Sequence, residues 1–170
     1  MNLHESLDIS VVDVSQDREG HLWFSHAHSG LTRLDTESLQ RLTETAVSEI
    51  LVQDKQGRLW FDSGNARCWL SDGRQYRQRF TNAIIVRGFL ADAKGRLWVG
   101  TVGDGLYRYN SVDDVLRGVA VHFEADDGLV ENDIYSLLEA KDGTIWVGAG
   151  AGTGRLNPES SSHLCHLCHL

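Results

Sequence analysis

Short apolar segments alternate with acidic, glycine-containing turns along most of the chain. The clearest stretch has an apolar segment at residues 88–92, a turn at 92–95 and a second apolar segment at 96–101. Asp at the first position of a four-residue turn and Gly at the fourth are typical of a type I turn that joins antiparallel strands. Further strands are predicted at residues 106–109 and 119–123. One such stretch therefore predicts a sheet of four short antiparallel strands.

This pattern occurs four times, and each copy has a tryptophan with a glycine three residues before it. The four pairs are Gly20 and Trp23, Gly57 and Trp60, Gly95 and Trp98, and Gly143 and Trp146. Successive tryptophans lie about 40 residues apart, a period that is typical of solenoids and propellers. The tryptophan strands are apolar on both faces, as in sheets that are covered on both sides. We therefore expect all four tryptophans to be core residues and the four glycines to form the turns.

Units of four strands and about 40 residues are typical of propeller blades. The sequence predicts an all-β, propeller-type fold with four blade-like repeats, each a four-stranded antiparallel sheet, at about residues 9–42, 47–80, 86–123 and 132–157. No fourth strand can be read in the last repeat. Residues 158–170 form a low-complexity segment, which we expect to be disordered.

The composition excludes some classes of function. The 170 residues are 41% hydrophobic, with 17 glycines and one proline, which fits a globular chain of short strands and tight turns. The net charge of −8 argues against a nucleic-acid partner, because phosphate binding requires a basic face. No segment approaches the roughly 18 apolar residues of a membrane span. The first residues lack the basic leader and apolar run of a signal peptide, so the residues alone predict no export.

Arginines recur near the end of the third predicted strand in three copies, at Arg33, Arg108 and Arg155. Recurrence in a repeat favours a repeated structural role, such as pairing with an acid of a neighbouring blade. The alternative is a ring of anion-binding groups, and it makes the three arginines candidate binding residues.

The third copy has an insertion at residues 111–118 that contains Asp113 and Asp114. We predict a loop there. Repeat proteins often place their variable binding surface in such an insertion. This segment is therefore the first candidate for contact with a partner, and the two aspartates are candidate binding residues.

Histidine and cysteine supply weaker candidates. The C-terminal segment carries the residue types that bind zinc, at Cys165, His166, Cys168 and His169, but it is also a plain three-residue repeat without a second ligand pair. His26 and His28 are spaced to project from one side of a strand, and the simpler interpretation places them on an exposed loop and strand end. No cofactor and no catalytic residue is predicted.

Two stretches resemble the repeat of two-component regulator propellers, the sensor domains of hybrid histidine kinases. They are DDGLVENDIYSLLEAKDGTIWVG at residues 126–148 and LWVGTVGDGLYRYN at 97–110, and the resemblance covers about residues 11–157. It implies the blade fold, an extracytoplasmic location and recognition of oligosaccharides, whereas full propellers of this family have seven blades. We therefore predict a non-catalytic module that binds a ligand or interacts with a protein.

Two alternatives to this function stay open. Leu-Trp-Phe at residues 22–24 also resembles the strands of streptogramin lyases, and this resemblance implies a lyase or hydrolase. Such an enzyme needs a histidine and an acid beside a metal, and His26 and His28 are the only candidates. The second alternative is a structural fragment without a function of its own.

Four blades leave two bare ends, because the apolar faces and strand edges there have no neighbour. Residues 2–9 could supply the missing outer strand of a small four-bladed ring. Two chains could instead form an eight-bladed ring, since cyclic dimers are the commonest assembly. The third solution is a fragment that aggregates. We favour self-association as a dimer.

Overall fold

The computed structural model of the chain describes residues 11–17, 19–26, 30–34, 39–43, 51–62, 67–71, 75–79, 85–157 and 159. These residues form antiparallel sheets with little helix, which confirms the predicted all-β class. The chain divides into two compact units, residues 1–77 and 78–170. Among the described residues, no helix is long and apolar enough to cross a membrane.

The first two sheets each have four strands in the order of the sequence. The strands of the first sheet are β1 (Val11–Gln16), β2 (Leu22–His26), β3 (Gly30–Leu34) and β4 (Leu39–Thr43). Those of the second sheet are β5 (Leu51–Gln53), β6 (Leu59–Asp62), β7 (Arg67–Ser71) and β8 (Gln75–Arg79).

The third sheet also has four strands, and the fourth sheet has three within the described residues. The third sheet consists of β9 (Val86–Ala91), β10 (Leu97–Thr101), β11 (Leu106–Tyr109) and β12 (Val121–Phe123). The fourth consists of β13 (Ile134–Glu139), β14 (Ile145–Ala149) and β15 (Gly152–Leu156). Two predicted segments lie outside the described residues, namely residues 2–9 and, apart from Glu159, residues 158–170.

A buried aspartate fixes the turn between β9 and β10. Asp92 Oδ1 accepts hydrogen bonds from the backbone N–H groups of Lys94 and Arg96, both at 2.9 Å. Its Oδ2 accepts from Arg96 Nε at 2.6 Å and from the indole Nε1 of Trp98 at 2.9 Å. A buried charge is tolerated when it is paired and hydrogen-bonded. Asp92 therefore ties the turn, the arginine and the core tryptophan into one unit.

The first two sheets contain the same aspartate–tryptophan hydrogen bond, with the aspartate six residues before the tryptophan. Trp60 Nε1 donates to Asp54 at 2.9 Å, and Trp23 Nε1 donates to Asp17 at 2.8 Å. Both tryptophans are buried, like Trp98. The prediction of core tryptophans is confirmed for these three copies.

The fourth copy differs, because Ala140 occupies the position of the aspartate. The turn keeps its backbone hydrogen bonds, from Ala140 N to Thr144 O at 2.8 Å and from Gly143 N to Ala140 O at 2.9 Å. Its tryptophan has no carboxylate acceptor at this position, and Trp146 is 37% exposed whereas Trp98 is 0% exposed. The prediction that Trp146 is a core residue is therefore wrong.

The third and fourth sheets pack face to face through small residues. A Cβ atom on Gly100 would lie 2.5 Å from Ile134 Cγ2, and one on Gly88 would lie 3.2 Å from Leu137 Cγ. The two glycines therefore leave room for the side chains of β13. The core of this unit contains Trp98, Leu106, Phe123, Leu129, Ile134, Ile145, Val147 and Leu156.

The insertion in the third copy is a short helix, α1 (Val112–Arg117), and not the predicted loop. Ser111 Oγ caps it by accepting from Asp114 N at 3.1 Å, and Gly118 ends it in the left-handed region at φ 68°. Val115, a residue of this helix, is fully buried. Serine before the helix and glycine after it are the usual signals for such a helix, and the following strand accordingly begins at Val121 instead of residue 119.

We expect Asp92→Ala to lower the free energy of unfolding by about 2–4 kcal/mol, since leaving one buried donor unsatisfied costs about 1–3 kcal/mol. Urea denaturation of the whole chain measures the loss. Asp113→Asn, a change at an exposed position, serves as the control and should stay within about 0.5 kcal/mol. Equal stabilities for Asp92→Ala and the control would contradict the anchoring role.

Asp92 should also make the stability of the chain depend on pH. Burial alone would raise the pKa of Asp92, but the hydrogen bonds from Trp98 and Arg96 together with the arginine charge hold it below its usual value. A carboxyl whose pKa is lower in the folded state stabilises the protein above its unfolded pKa of about 3.9 and loses that contribution as the pH falls through the folded value. Stability should therefore drop below about pH 5.

Asp92→Asn tests this origin of the acid sensitivity. Unfolding measured between pH 2 and pH 7 should show a flatter profile for the variant than for the unchanged chain. Identical slopes would assign the acid sensitivity to other carboxyl groups.

Candidate functional site

A cavity of about 760 Å³ lies at one end of the third and fourth sheets. The turn before β10 and the turn before β14 form its walls, and residues after β15 complete it. Its cationic side chains are Lys94, Arg96, Lys141 and Arg155, and its acidic side chains are Glu139, Asp142 and Glu159. Ligand pockets usually measure about 300–1,000 Å³, so the cavity has the size of a binding site.

Hydrogen bonds link the walls of this cavity. Glu139 Oε2 accepts from the backbone N–H of Ala93 at 2.7 Å, which joins β13 to the turn before β10. Glu159 Oε1 accepts from Lys94 Nζ at 2.6 Å and from Arg96 Nη1 at 3.3 Å. These contacts bring together residues from three separate segments of the chain.

Two of the cavity's acids, Glu159 and Asp142, are held in their ionised form. The hydrogen bond from Lys94 and its charge keep the pKa of Glu159 below the usual value. The backbone N–H of Thr144 does the same for the pKa of Asp142, and the charge of Arg155 adds to the effect. Carboxylates with lowered pKa values accept hydrogen bonds at neutral pH and are poor proton donors. Glu159 and Asp142 are therefore suited to accepting hydrogen bonds from a polar molecule.

The recurring arginines lie opposite the tryptophans of their own sheets. The strand register pairs Trp23 with Arg33, Trp98 with Arg108 and Trp146 with Arg155. The guanidinium carbon lies 5.8 Å from the ring centroid in the first pair and 5.6 Å in the second. A cation over an aromatic face at this distance is stabilising. In the first and third copies the arginine therefore contacts the tryptophan of its own sheet.

The predicted binding residues are brought together only in part. Arg155 lines the cavity, whereas Arg33 and Arg108 lie over tryptophans. Asp113 and Asp114 lie in the first turn of α1, where acidic side chains complement the helix dipole. A binding role for these residues stays a prediction.

His26 does not lie on the exposed loop or strand end that the sequence predicted. His26 is 2% exposed, and its Nε2 lies 3.0 Å from the hydroxyl of Thr32 on β3. It is therefore not on an exposed strand end, and a substrate has no direct access to it. His28 lies outside the described residues, as do the C-terminal candidates Cys165, His166, Cys168 and His169.

Most of the cavity residues were missed by the sequence reasoning. Lys94, Lys141 and Asp142 belong to the turn segments whose repetition was recognised, but no role was assigned to their charges. Nothing in the spacing places two turns from successive copies beside each other. The turn charges give no such signal, since the turn of the second copy carries a lysine as well, at Lys55.

Comparison with known proteins supports the repeat assignment. The family model for the two component regulator propeller matches residues 80–103 and 128–151, which include the tryptophan strands of the third and fourth sheets. The chain therefore carries repeats of this family. No curated protein sequence matches the chain.

Solved structures show the fold. The extracellular domain of the hybrid two-component system BT3049 from B. thetaiotaomicron is 22% identical with a TM-score of 0.71, and the match covers 90% of this chain and 22% of that one. The corresponding domain of BT4673 from the same organism is 17% identical with a TM-score of 0.73, covering 93% and 25%. This chain thus spans about a quarter of the length of those domains.

Virginiamycin B lyase from Staphylococcus aureus has the same fold. It is 14% identical with a TM-score of 0.67, and the match covers 89% of this chain and 53% of the lyase. Identities this low show a shared propeller architecture and carry no information about a shared activity.

Proposed function

We propose that this chain, which carries two-component regulator propeller repeats, is a non-catalytic binding module of an extracytoplasmic sensing propeller. The charged cavity at the turns of the third and fourth sheets carries the proposal. The match to the sensor propeller repeat and the extracellular domains among the similar structures support it. The buried position of His26 argues against the lyase alternative.

The proposed ligand is a neutral oligosaccharide. Four cations and three carboxylates line the cavity, so their charges nearly balance and a strongly charged ligand would meet repulsion from one set. A sugar hydroxyl donates to a carboxylate and accepts from a guanidinium or ammonium group at the same time. A ring of several hydroxyls therefore uses both sets of charges.

Lys141→Ala tests the cavity, and Lys55→Ala is its matched control. Lys55 follows Asp54 as Lys141 follows Ala140, so both occupy the same turn position in different copies. Titration calorimetry with a panel of neutral, acidic and basic oligosaccharides should show binding of a neutral member. Lys141→Ala should weaken it at least tenfold, or about 1.4 kcal/mol, while Lys55→Ala leaves it unchanged. Absence of binding across the neutral panel, or an equal loss in the control, would reject the site.

A second copy of this chain is the proposed protein partner. In the third and fourth sheets, the face with Trp98 and Gly100 packs against Ile134 and Leu137 of the next sheet. The fourth sheet presents the equivalent face with Trp146, and this face is partly exposed. Its natural counterpart is the first strand of another sheet.

The first sheet offers that counterpart. Val11 and Val14 precede Asp17 by six and three residues, as Ile134 and Leu137 precede Ala140. Ile134 is 0% exposed, whereas Val11 is 40% and Val14 is 53% exposed. The contact between the third and fourth sheets joins a tryptophan face to a first strand. The chain also exposes one surface of each kind, the face of Trp146 and the strand with Val11 and Val14. A second copy can cover both of them.

Light scattering on a sizing column tests the self-association. The chain should elute with twice its mass of 19.0 kDa, and Val14→Glu should shift it to the monomer, because a buried unpaired charge opposes docking. Val119→Glu, at an exposed valine outside both faces, is the control and should leave the dimer intact. A monomer at all concentrations for the unchanged chain would contradict the proposal.

A further inference from the structure

A second group of polar side chains lies at the opposite end of the third sheet. It consists of Asp104, in the loop between β10 and β11, and Tyr107, His122 and Glu124 on or beside β11 and β12. One ligand atom from each of Asp104, His122 and Glu124 lies within 4.8 Å of the others. The group combines an imidazole with two carboxylates, and it shares no residue with the cavity.

The backbone holds Asp104 in place. Thr101 donates to the carbonyl oxygen of Gly105 twice, from its backbone N at 3.0 Å and from its hydroxyl at 2.8 Å. Gly105 N donates to Asn132 O at 3.0 Å. Gly105 has a φ of +70°, and a Cβ there would clash with the carbonyl oxygen of Phe123. The loop is therefore fixed against β12 before any ligand arrives.

The imidazole of His122 is oriented by its neighbours. Its Nε2 lies 2.7 Å from the carbonyl oxygen of Asp104, an acceptor that places the ring proton on Nε2 and leaves Nδ1 with a free electron pair. The ring of Tyr107 stacks on it, with centroids 4.1 Å apart and planes 10° apart. A carbonyl that holds one nitrogen of a histidine is the usual support when the other nitrogen binds a metal.

Tyr107 also orients the carboxylate of Asp104. Its hydroxyl donates to Asp104 Oδ2 at 2.7 Å. This hydrogen bond fixes the orientation of the carboxylate. Tyr107 is thus a positioning residue.

The fold does not require these side chains. When the copies are aligned on the paired tryptophan and arginine, the positions of Asp104 and Tyr107 are occupied in the first copy by Ser29 and Thr32 and in the fourth by Ala151 and Gly154. Both of those copies still pair the two strands on either side of the loop. In a repeat protein, residues that differ between copies are where specific functions are found.

We propose that Asp104, His122 and Glu124 form a binding site for a divalent transition metal such as Zn²⁺, with water completing the coordination. One imidazole nitrogen and carboxylate oxygens are ligands of Zn²⁺ and its neighbours in the first transition row, whereas Ca²⁺ prefers oxygen alone. A metal bound there would join the loop before β11 to the end of β12. The site is independent of the cavity and of its ligand.

Residue-resolved NMR with ZnCl₂ as the probe tests this site in the whole chain. The C-terminal histidines and cysteines can also bind zinc, so the readout is the ring signals of His122 instead of total uptake. These signals should shift on titration. Asp104→Asn and Glu124→Gln should each raise the apparent Kd at His122 at least tenfold, and the control Asp113→Asn should leave it unchanged.

Asp104→Asn and Glu124→Gln test the site independently of each other. Glu124 is exposed and caps the short 3₁₀ helix Ala125–Asp127 with its side chain, and glutamine keeps an oxygen for that role, so Glu124→Gln should leave the fold intact even if Asp104→Asn perturbs the loop. Zinc-induced shifts confined to residues 163–169 in the unchanged chain would overturn the proposal. So would an unchanged Kd at His122 in Glu124→Gln.

Discussion

The hydrogen bond between a turn aspartate and a tryptophan six residues later is the interaction on which the sheets depend. It satisfies the one polar atom of a large buried ring and neutralises a buried carboxylate with the turn N–H groups and an arginine. Three sheets contain this bond, and in each the tryptophan is buried. The fourth copy, with Ala140, keeps the turn and exposes Trp146. The comparison shows that the backbone forms the turn without the carboxylate.

Much of the fold could be predicted because it depends on local sequence. Glycine three residues before each tryptophan and the apolar segments around it placed the strands within a few residues, and the strand order followed from the short turns. The errors have local causes too. The capping signals of Ser111 and Gly118 were present but were interpreted as a loop. Ala140 was also visible in the sequence, but the missing carboxylate acceptor for Trp146 was not inferred from it.

The candidate sites could not be predicted in the same way. The cavity depends on how the third sheet packs against the fourth, and Gly88 and Gly100 set that packing through the absence of a side chain. The spacing of residues along the sequence does not give the distance between two packed sheets. The group around His122 depends on a loop whose course is fixed by one left-handed glycine and two hydrogen bonds from Thr101. The contacts of Asp104 with His122 and Glu124, some 20 positions further along the chain, become visible only once the course of that loop is known.

The anchoring aspartate has a consequence for how such a chain changes over evolution. Every contact it makes lies within six residues, so a duplicated or deleted repeat brings its anchor with it and leaves the anchors of the remaining repeats intact. Loop closure over so few residues also costs little entropy, so each aspartate closes its own turn at little cost. Copy number is then a variable that selection can adjust without redesigning a core, while the loops of a single copy are free to acquire a chemistry that the others lack.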